Sequence, residues 1–515
     1  MSKKNLKFKK FNRTPNETIY IKPKKCIACS ACALTCTKST KISVLRLSLP
    51  NQKVIEPKKE TFNKSNCIYC GQCTLFCPTG AINSLNPEEE ILKAKEENKY
   101  MVAIFAPSLK ATLGEEFNLP IGTDVSSKLS TSARLAGFNQ VFETDFGADL
   151  TVVEEAKELE QRIKTNGILP MFTSCCPAWI KWAERFRPDL LPYISTCKSP
   201  QQLLGATIKT YFAEKNNLPP SDIFVTSIKP CTAKKFEALR DGMGRDGYQD
   251  VDAVFTVREY AKYLKEKGID LRDIPDTEPD DLLGDASGGA AIFGNAGGVL
   301  RSTLRTLAYY LGDSSENIDA ISNTKLNYLN GFDGVKVINY KINNLDIKAA
   351  AVSGISNLIN FLNSGEWKNY HFIEVMACPG GCVNGGGTPK VSKKAKVIEP
   401  LCISCGTCIE NCPVGAIEFS SKRTARVSPP SCVGCTLCNN LCRSNAININ
   451  YFDKSNNSLL EESYITLRQN VLENFDLNSK VRLPHENKDI KELYLSYLGD
   501  IGGPKAKSIL HIEYS

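Results

Sequence analysis

Histidine is nearly missing from this chain. His371, His485 and His511 are its only three, too scattered in the sequence to build an imidazole metal site together. No apolar run is long enough to span a membrane, and the opening MSKKNLKFKKFNRT lacks the apolar core of a secretory signal. A cytoplasmic chain with no membrane insertion is therefore expected. Basic residues are not interleaved with aromatics into an RNA or DNA module, so no nucleic-acid partner is expected despite a formal net charge of +8. Runs such as Lys22 to Lys25 read as solvated faces, and residues 1 to 20 read as basic, polar and partly disordered. No Gly-Lys-Ser/Thr follows the most glycine-rich stretch, which argues against a nucleotide loop.

Cysteine is the opposite case, with 22 residues. In a reducing compartment they are read as metal-ligating thiolates and not as disulfides. Sixteen fall into four runs of the form C-x2-C-x2-C-x3-C: Cys26, Cys29, Cys32 and Cys36; Cys67, Cys70, Cys73 and Cys77; Cys402, Cys405, Cys408 and Cys412; Cys432, Cys435, Cys438 and Cys442. Zinc knuckles are the competing reading, disfavoured by the two short gaps in each run and by Pro78 after Cys77. The runs match bacterial two-cluster ferredoxins, in which three cysteines of one run and the fourth of its partner hold each cubane. Carried over, the sets are Cys26, Cys29, Cys32 and Cys77; Cys67, Cys70, Cys73 and Cys36; Cys402, Cys405, Cys408 and Cys442; Cys432, Cys435, Cys438 and Cys412. An oxidised cubane with four thiolates carries a charge of about −2, so several would cancel most of the basic excess. Cys36 departs from the pattern in being followed by Thr37.

Between the two pairs of runs the sequence reads as α/β. Apolar runs beginning at Met101, Ile223, Lys348 and Phe372 alternate with helical stretches such as LTVVEEAKELEQRIK and SPQQLLGATIKTYFAEK. The charged EEEILKAKEENKY is expected to connect, and TPKVSKKAKVIEP is expected to be a lysine-rich linker. Several strand-like runs stop at proline or cysteine, where an open α/β sheet places its ligands. FTSCCPAW holds Cys175 and Cys176, KPCTAKKFE holds Cys231, and EVMACPGGCVNGGG holds Cys378 and Cys382 in what reads as a strand emptying into a glycine loop. By itself that loop is equally an ordinary turn with two buried cysteines. Adjacent cysteines cannot easily serve one cubane, so one of Cys175 and Cys176 is left for other chemistry.

These three segments, in this order, resemble the three signature motifs of [FeFe]-hydrogenases, and the likeness spans about residues 100 to 390. The resemblance implies an H-cluster: a cubane on Cys176, Cys231, Cys378 and Cys382, bridged by Cys382 to a diiron subsite carrying CO, cyanide and an azadithiolate. It makes Cys175 the proton donor to that subsite and Lys234, Ser108 and Pro107 its polar contacts, with Gln201, Phe293 and Met376 packed around it. Glu155, Glu158 and Arg162 share one face of a helix. Periodicity alone favours a solvated face there. The resemblance makes these residues, with Ser195, a proton route running Arg162, Glu158, Ser195, Glu155, Cys175. Lys229 stands where many members have methionine, and Cys197 is an extra cysteine best read as a small core residue.

The implied architecture is an α/β catalytic domain of mixed sheets flanked by helices, with two ferredoxin-like α+β modules. Its segments are 1–95 (first two-cluster module), 96–392 (H-cluster domain), 393–452 (inserted two-cluster module) and 453–515 (a tail resembling the family's small subunit). The implied function is reversible H2 formation and oxidation, using four further [4Fe-4S] clusters. Implied partners are a ferredoxin or similar low-potential carrier, H2 and protons, and dedicated maturases. A redox sensor, an iron-sulfur assembly relative and a pure electron-transfer polyferredoxin are the alternatives.

Overall fold

The computed structural model describes residues 18–48, 54–284 and 286–514; residues 1 to 17 of the stretch expected to be partly disordered lie outside them, and Ile19 and Tyr20 belong to a strand. Contacts divide the chain into two compact units, each assembled from two separate stretches. One is Met1–Leu85 with Lys390–Glu461, and the other is Asn86–Pro389 with Glu462–Ser515.

The larger unit carries two sheets. The first is wholly parallel, in the order Ala253–Thr256, Ile223–Lys229, Tyr100–Phe105, Gln140–Glu143. Along Tyr100–Phe105 the alternation of side chains feeds two cores: Val102 and Ile104 pack with Phe142, Phe146 and Leu204, while Met101, Ala103 and Phe105 pack with Phe255 and Tyr260. A strand buried on both faces reads as an unbroken apolar run, which is how MVAIF appears in the sequence. The second sheet is mixed, ordered Asn327–Tyr328, Val335–Ile342, Leu345–Ser353, Phe372–Met376, Met171–Phe172. Its last three strands are parallel, so the strands entering FTSCCPAW and EVMACPGG run side by side in one direction.

The charged segment expected to be a connector is part of this unit's core. Its helix Glu88–Glu96 buries Ile91 and Ala94 against the first sheet, because the acidic residues occupy the opposite face. The tail is equally integral: Val471 and Leu472 pack on Val383, and Ile490, Leu493, Ile509 and Leu510 complete the core around Phe146.

The smaller unit is built from short antiparallel ribbons and short helices. Ile19–Ile21 pairs with Ile82–Ser84, Leu45–Leu47 with Ile55–Pro57, Ser392–Val397 with Ile447–Phe452, and Ile417–Phe419 with Ala425–Val427. The expected lysine-rich linker is corrected here. Residues 392–397 form an edge strand whose Ala395 enters the module's core, while Lys393 lies over the Phe76 ring, Lys394 donates to Cys432 O and Lys396 is exposed. No helix among the described residues is long and apolar enough to cross a membrane.

Candidate active site

Three strand ends deliver the central cysteines. Beyond Met171–Phe172 come Cys175 and Cys176, beyond Phe372–Met376 comes Cys378, and beyond Ile223–Lys229 comes Cys231. The Ala377 amide donates to Cys176 Sγ at 3.4 Å, and Val375 N donates to Thr173 Oγ1 at 3.1 Å, which ties the first and third motifs together. Cys382 faces Cys231 and Cys176. Burial pushes every one of these thiols whose shift is resolved upward, Cys231 to about 11 and Cys382 to about 12, with neighbouring thiols adding to the effect. Buried thiolates crowded together need a cation to offset them, which is what an iron-sulfur core supplies.

Three glycines of residues 380–387 permit close backbone packing. A Cβ on Gly385 would lie 2.3 Å from Pro230 O, and one on Gly387 2.8 Å from Thr256 side-chain atoms. Gly381 has φ 103°, and its Cβ would meet Ala296 N at 2.6 Å. The loop lies backbone to backbone on the segments that carry Cys231 and Phe293, and only glycine permits that approach.

Around Cys175 the packing is apolar: Ala148, Val152, Phe293, Val299 and Met376 form one cluster with it. Burial, followed by the nearby Glu155 carboxyl, pushes the Cys175 thiol well above its ordinary value. The thiol thus stays protonated, a donor form, and does not titrate near neutrality. Ser108 is buried and its Oγ has no hydrogen-bond partner, an orphan that fits a cofactor group aimed at it. Pro107 is buried beside it.

Lys234 Nζ donates to Cys175 O at 3.1 Å and to Glu237 Oε2 at 2.8 Å. Burial works against its charge, but Glu237 and two neighbouring cysteines hold it above the usual lysine range. Gln201 donates to Glu237 and accepts from Ser227 Oγ at 2.9 Å. Lys229 is buried, donates to Thr144 Oγ1 and is pushed well below its ordinary value, chiefly by burial and then by Lys234. Cys197 is fully buried in the core around Phe146.

The helix Thr144–Lys164 sets out the acidic track. Arg162 Nη2 donates to Glu158 Oε1 at 2.6 Å, and Ser195 Oγ donates to Glu158 Oε2 at 2.9 Å. Ser195 also reaches Glu155, whose Oε1 accepts from Ser174 N at 3.3 Å and Ser174 Oγ at 3.4 Å. Glu155 Oε2 is left without a partner among the described residues. Glu155 is wholly buried, so the solvated-face reading fails for it, while the Glu158–Arg162 pair keeps partial access to solvent.

Sequence reasoning missed three participants. Ser174 bridges Glu155 to the carbonyl of Cys197, and Glu237 anchors Lys234, Gln201 and Ser199. Glu237 had a local signal, three residues after Lys234 on a helix. The third is His511: its Nδ1 meets Thr196 Oγ1 at 2.8 Å, Thr196 Oγ1 donates to Glu158, and its Nε2 meets Glu154 Oε2 at 3.0 Å. His371 and His485 have structural partners, Lys348 N and Thr306 Oγ1.

Three buried carboxyls give the fold a pH dependence. Burial raises Asp149 to about 7, Glu155 to about 8 and Glu374 to about 7. Each is raised in the folded state, so its contribution is fully present below its unfolded value and is lost as pH rises through its folded one. The urea midpoint of the chain is therefore expected to fall between pH 5 and pH 8, and Glu155→Gln should flatten that slope; a midpoint that rises over this window contradicts the assignment.

In the smaller unit, Cys26, Cys29, Cys32 and Cys77 line one small cavity, and Cys402, Cys405, Cys408 and Cys442 line another. Cys73 faces Cys67, Cys70 and Cys36, and Cys432, Cys438 and Cys412 share a core cluster. All four loops repeat one backbone device. Positive φ occurs at Ala28 and Ser30, Tyr69 and Gly71, Ser404 and Gly406, Gly434 and Thr436, on either side of the second cysteine of each run. Non-glycine residues hold that conformation only where surroundings fix it, and here it wraps the chain around a cage. Among the described residues no group of three or more His, Cys, Asp or Glu is placed to hold a single metal ion. The helix carrying Cys36 runs on to Thr40, as the lack of a following proline allows.

The fold and site define an iron-sulfur protein: two ferredoxin-type modules, and a larger α/β unit in which Cys176, Cys231 and Cys382 face one another. Residues 99–386 match the family model described as iron only hydrogenase large subunit, C-terminal domain, and 462–515 match the iron hydrogenase small subunit. Residues 395–449 match a 4Fe-4S dicluster domain and 60–83 a 4Fe-4S binding domain. The chain belongs to the iron-only hydrogenase family. It is 35% identical to iron hydrogenase 1 of Clostridium pasteurianum, over 95% of this chain and 74% of that protein. It is also 34% identical to the cytosolic Fe-S cluster assembly factor narfl of Xenopus tropicalis, over 65% of this chain and 73% of that one. Among solved structures, an apo [FeFe]-hydrogenase HydA1 from Chlamydomonas reinhardtii superposes with a TM-score of 0.62 at 30% identity, covering 84% of this chain and 99% of that chain.

Proposed function

We propose that this chain interconverts protons and electrons with H2, two of each per molecule, and exchanges the electrons with a ferredoxin-type carrier. The observation that carries this reading is the track from Arg162 through Glu158, Ser195 and Glu155 to the protonated thiol of Cys175. A scaffold that only holds or passes on clusters has no use for a buried relay of this length.

In this reading Cys176, Cys231, Cys378 and Cys382 hold an H-cluster cubane, with Cys382 also reaching the diiron subsite. The H-cluster, when bound, supplies low-valent iron and a bridgehead amine, the redox and basic centres that proton reduction needs. Cys175 holds a proton at Sγ beside that position, and Glu155 resupplies it through its unpartnered carboxyl oxygen. Ser195 and Ser174 orient Glu155, while Arg162 holds the Glu158 carboxylate in place at the outer end of the track. Lys234, with Ser108 and Pro107, positions the polar ligands of the diiron subsite, and Gln201 steadies Lys234 through Glu237. Phe293 and Met376 exclude water. The sixteen ferredoxin-type cysteines hold four further [4Fe-4S] clusters, and dedicated maturases supply the diiron subsite.

The likeness to a cluster assembly factor favours a second reading, in which the cage serves iron-sulfur assembly. One sample separates the two. Infrared spectroscopy of chain matured with its diiron subsite is expected to give CO and cyanide stretching bands, and the same sample should evolve H2 from a reduced viologen. Glu158→Gln should keep the bands and lower H2 evolution by about a hundredfold, in the range of a lost proton-transfer group. Absent bands and absent H2 would support the assembly reading.

A further inference from the structure

The two ferredoxin-type modules make up one compact unit, and they meet through cysteines. Cys29 of the first run and Cys435 of the fourth are in side-chain hydrogen-bond contact. Both are buried, with Ala31 and the flanking Ile27 and Leu437, in a small core shared by the two modules. Lys38 Nζ donates to Asn440 Oδ1 at 2.7 Å, and Lys393 lies over the Phe76 ring at 4.3 Å with its charge facing both cysteines. Within each module a further pair of thiols brings neighbouring sets together: Cys408 faces Cys438, and Cys32 faces Cys73.

Resting on the reading of these cysteines as four cluster-binding sets, we infer that the inserted module is the outer half of a single four-site electron wire, entered at the surface around Cys405. The contacts fix the order. It runs from the Cys402, Cys405, Cys408, Cys442 set to the Cys432 set, across Cys435 and Cys29 to the Cys26 set, and on to the Cys67 set. Tunnelling falls off exponentially with distance, so sets whose ligands lie side by side exchange electrons faster than more distant pairs in this unit.

The outer end has the features of a port. Cys405 is the one cysteine exposed to solvent among the described residues. Leu401, Ile403 and Phe419 stand around it at 47%, 64% and 50% exposure, and Phe419 lines the cavity of its thiol set. The exposed Arg443 acts on Cys405 directly, and Lys422, Arg423 and Arg426 are exposed on the adjoining Ile417–Val427 hairpin. Against these four bases stand the exposed Glu410 and Glu418 of the same module. A basic rim around an apolar centre suits one class of partner, an acidic one-electron iron-sulfur carrier. Each transfer oxidises that carrier by one electron and reduces the outer site by one.

Two measurements on the full, cluster-loaded chain test this. Dithionite-reduced samples are expected to show magnetic interaction between the two modules by electron paramagnetic resonance, and Cys432→Ala/Cys438→Ala should narrow the signals of the first module. Because that variant removes ligands, Ile403→Asp tests the port with every ligand in place. Stopped-flow reduction by an acidic two-cluster ferredoxin should slow about tenfold from like-charge repulsion at the docking centre, while reduction by dithionite keeps its rate. Signals that do not change in the double variant, or an unchanged ferredoxin rate in Ile403→Asp, overturn the wire or its port and leave the H2 chemistry untouched. A loaded chain without cluster signals overturns both this inference and the reading beneath it.

Discussion

Cys175→Ala is expected to lower H2 evolution about a thousandfold, within the span of a lost general acid, while leaving the CO and cyanide bands of matured enzyme in place. In the proposed reading the thiol is the last proton donor on the track. Ala148, Val152, Phe293, Val299 and Met376 pack against it, so the methyl of alanine supplies no substitute donor. In the proposed reading Cys175 is not one of the four cubane ligands, which is why assembly of the cofactor and turnover should separate in this variant. Viologen-driven H2 evolution and infrared spectra of one preparation decide the matter. Turnover within a few fold of the parent would mean that protons reach the site by another path.

Arg468→Ala should destabilise the larger unit by about 3–5 kcal/mol, the usual effect of stranding one partner of a buried ion pair. Arg468 is fully buried on the tail helix Tyr464–Asn478 and grips Glu115 with two bonds of 2.7 Å. Its remaining donors hold the exit of the cysteine loop, Nη1 to Val383 O at 2.8 Å and Nη2 to Pro389 O at 3.2 Å. Removing it leaves a buried carboxylate and two loose loop carbonyls one residue and seven residues beyond Cys382. Denaturant unfolding monitored in Arg468→Ala, Glu115→Ala and the double variant should give costs that do not add, because the second change removes a partner already stranded. Additive losses would mean that the pair is not the unit of stabilisation.

Much of this was readable in the residues, for a physical reason in each case. Cage cysteines lie within short motifs, and the strands that present them are apolar runs buried on both faces, so both signals are local. The Arg162 to Glu155 track needed the family resemblance, since spacing on a helix does not reveal that one end is buried under Ser174 and Ser195. What stayed hidden was non-local. His511 joins Thr196 and Glu158 across more than three hundred residues, and Arg468 reaches Glu115 across a similar span. The segments at 88–96 and 392–397 were misjudged as connectors because charge dominates their composition, yet a few apolar positions, Ile91, Ala94 and Ala395, anchor each to a core. The close backbone packing that requires Gly381, Gly385 and Gly387 is non-local in the same way, since the backbones they meet belong to distant segments.

The interleaving of the two units has a consequence for biosynthesis. A ribosome finishes residues 18–85 long before 390–461, and finishes 86–389 before the helix that carries Arg468. The larger unit cannot close when its first stretch emerges, so the usual order in which each domain folds as it is made does not apply to it. Until the helix that carries Val471 and Leu472 emerges, the nascent chain presents the cysteine loops of the larger unit and an uncovered apolar face at Ala111 and Val383. That interval is a window in which cluster insertion can precede closure, and one in which chaperones have unfinished surfaces to guard.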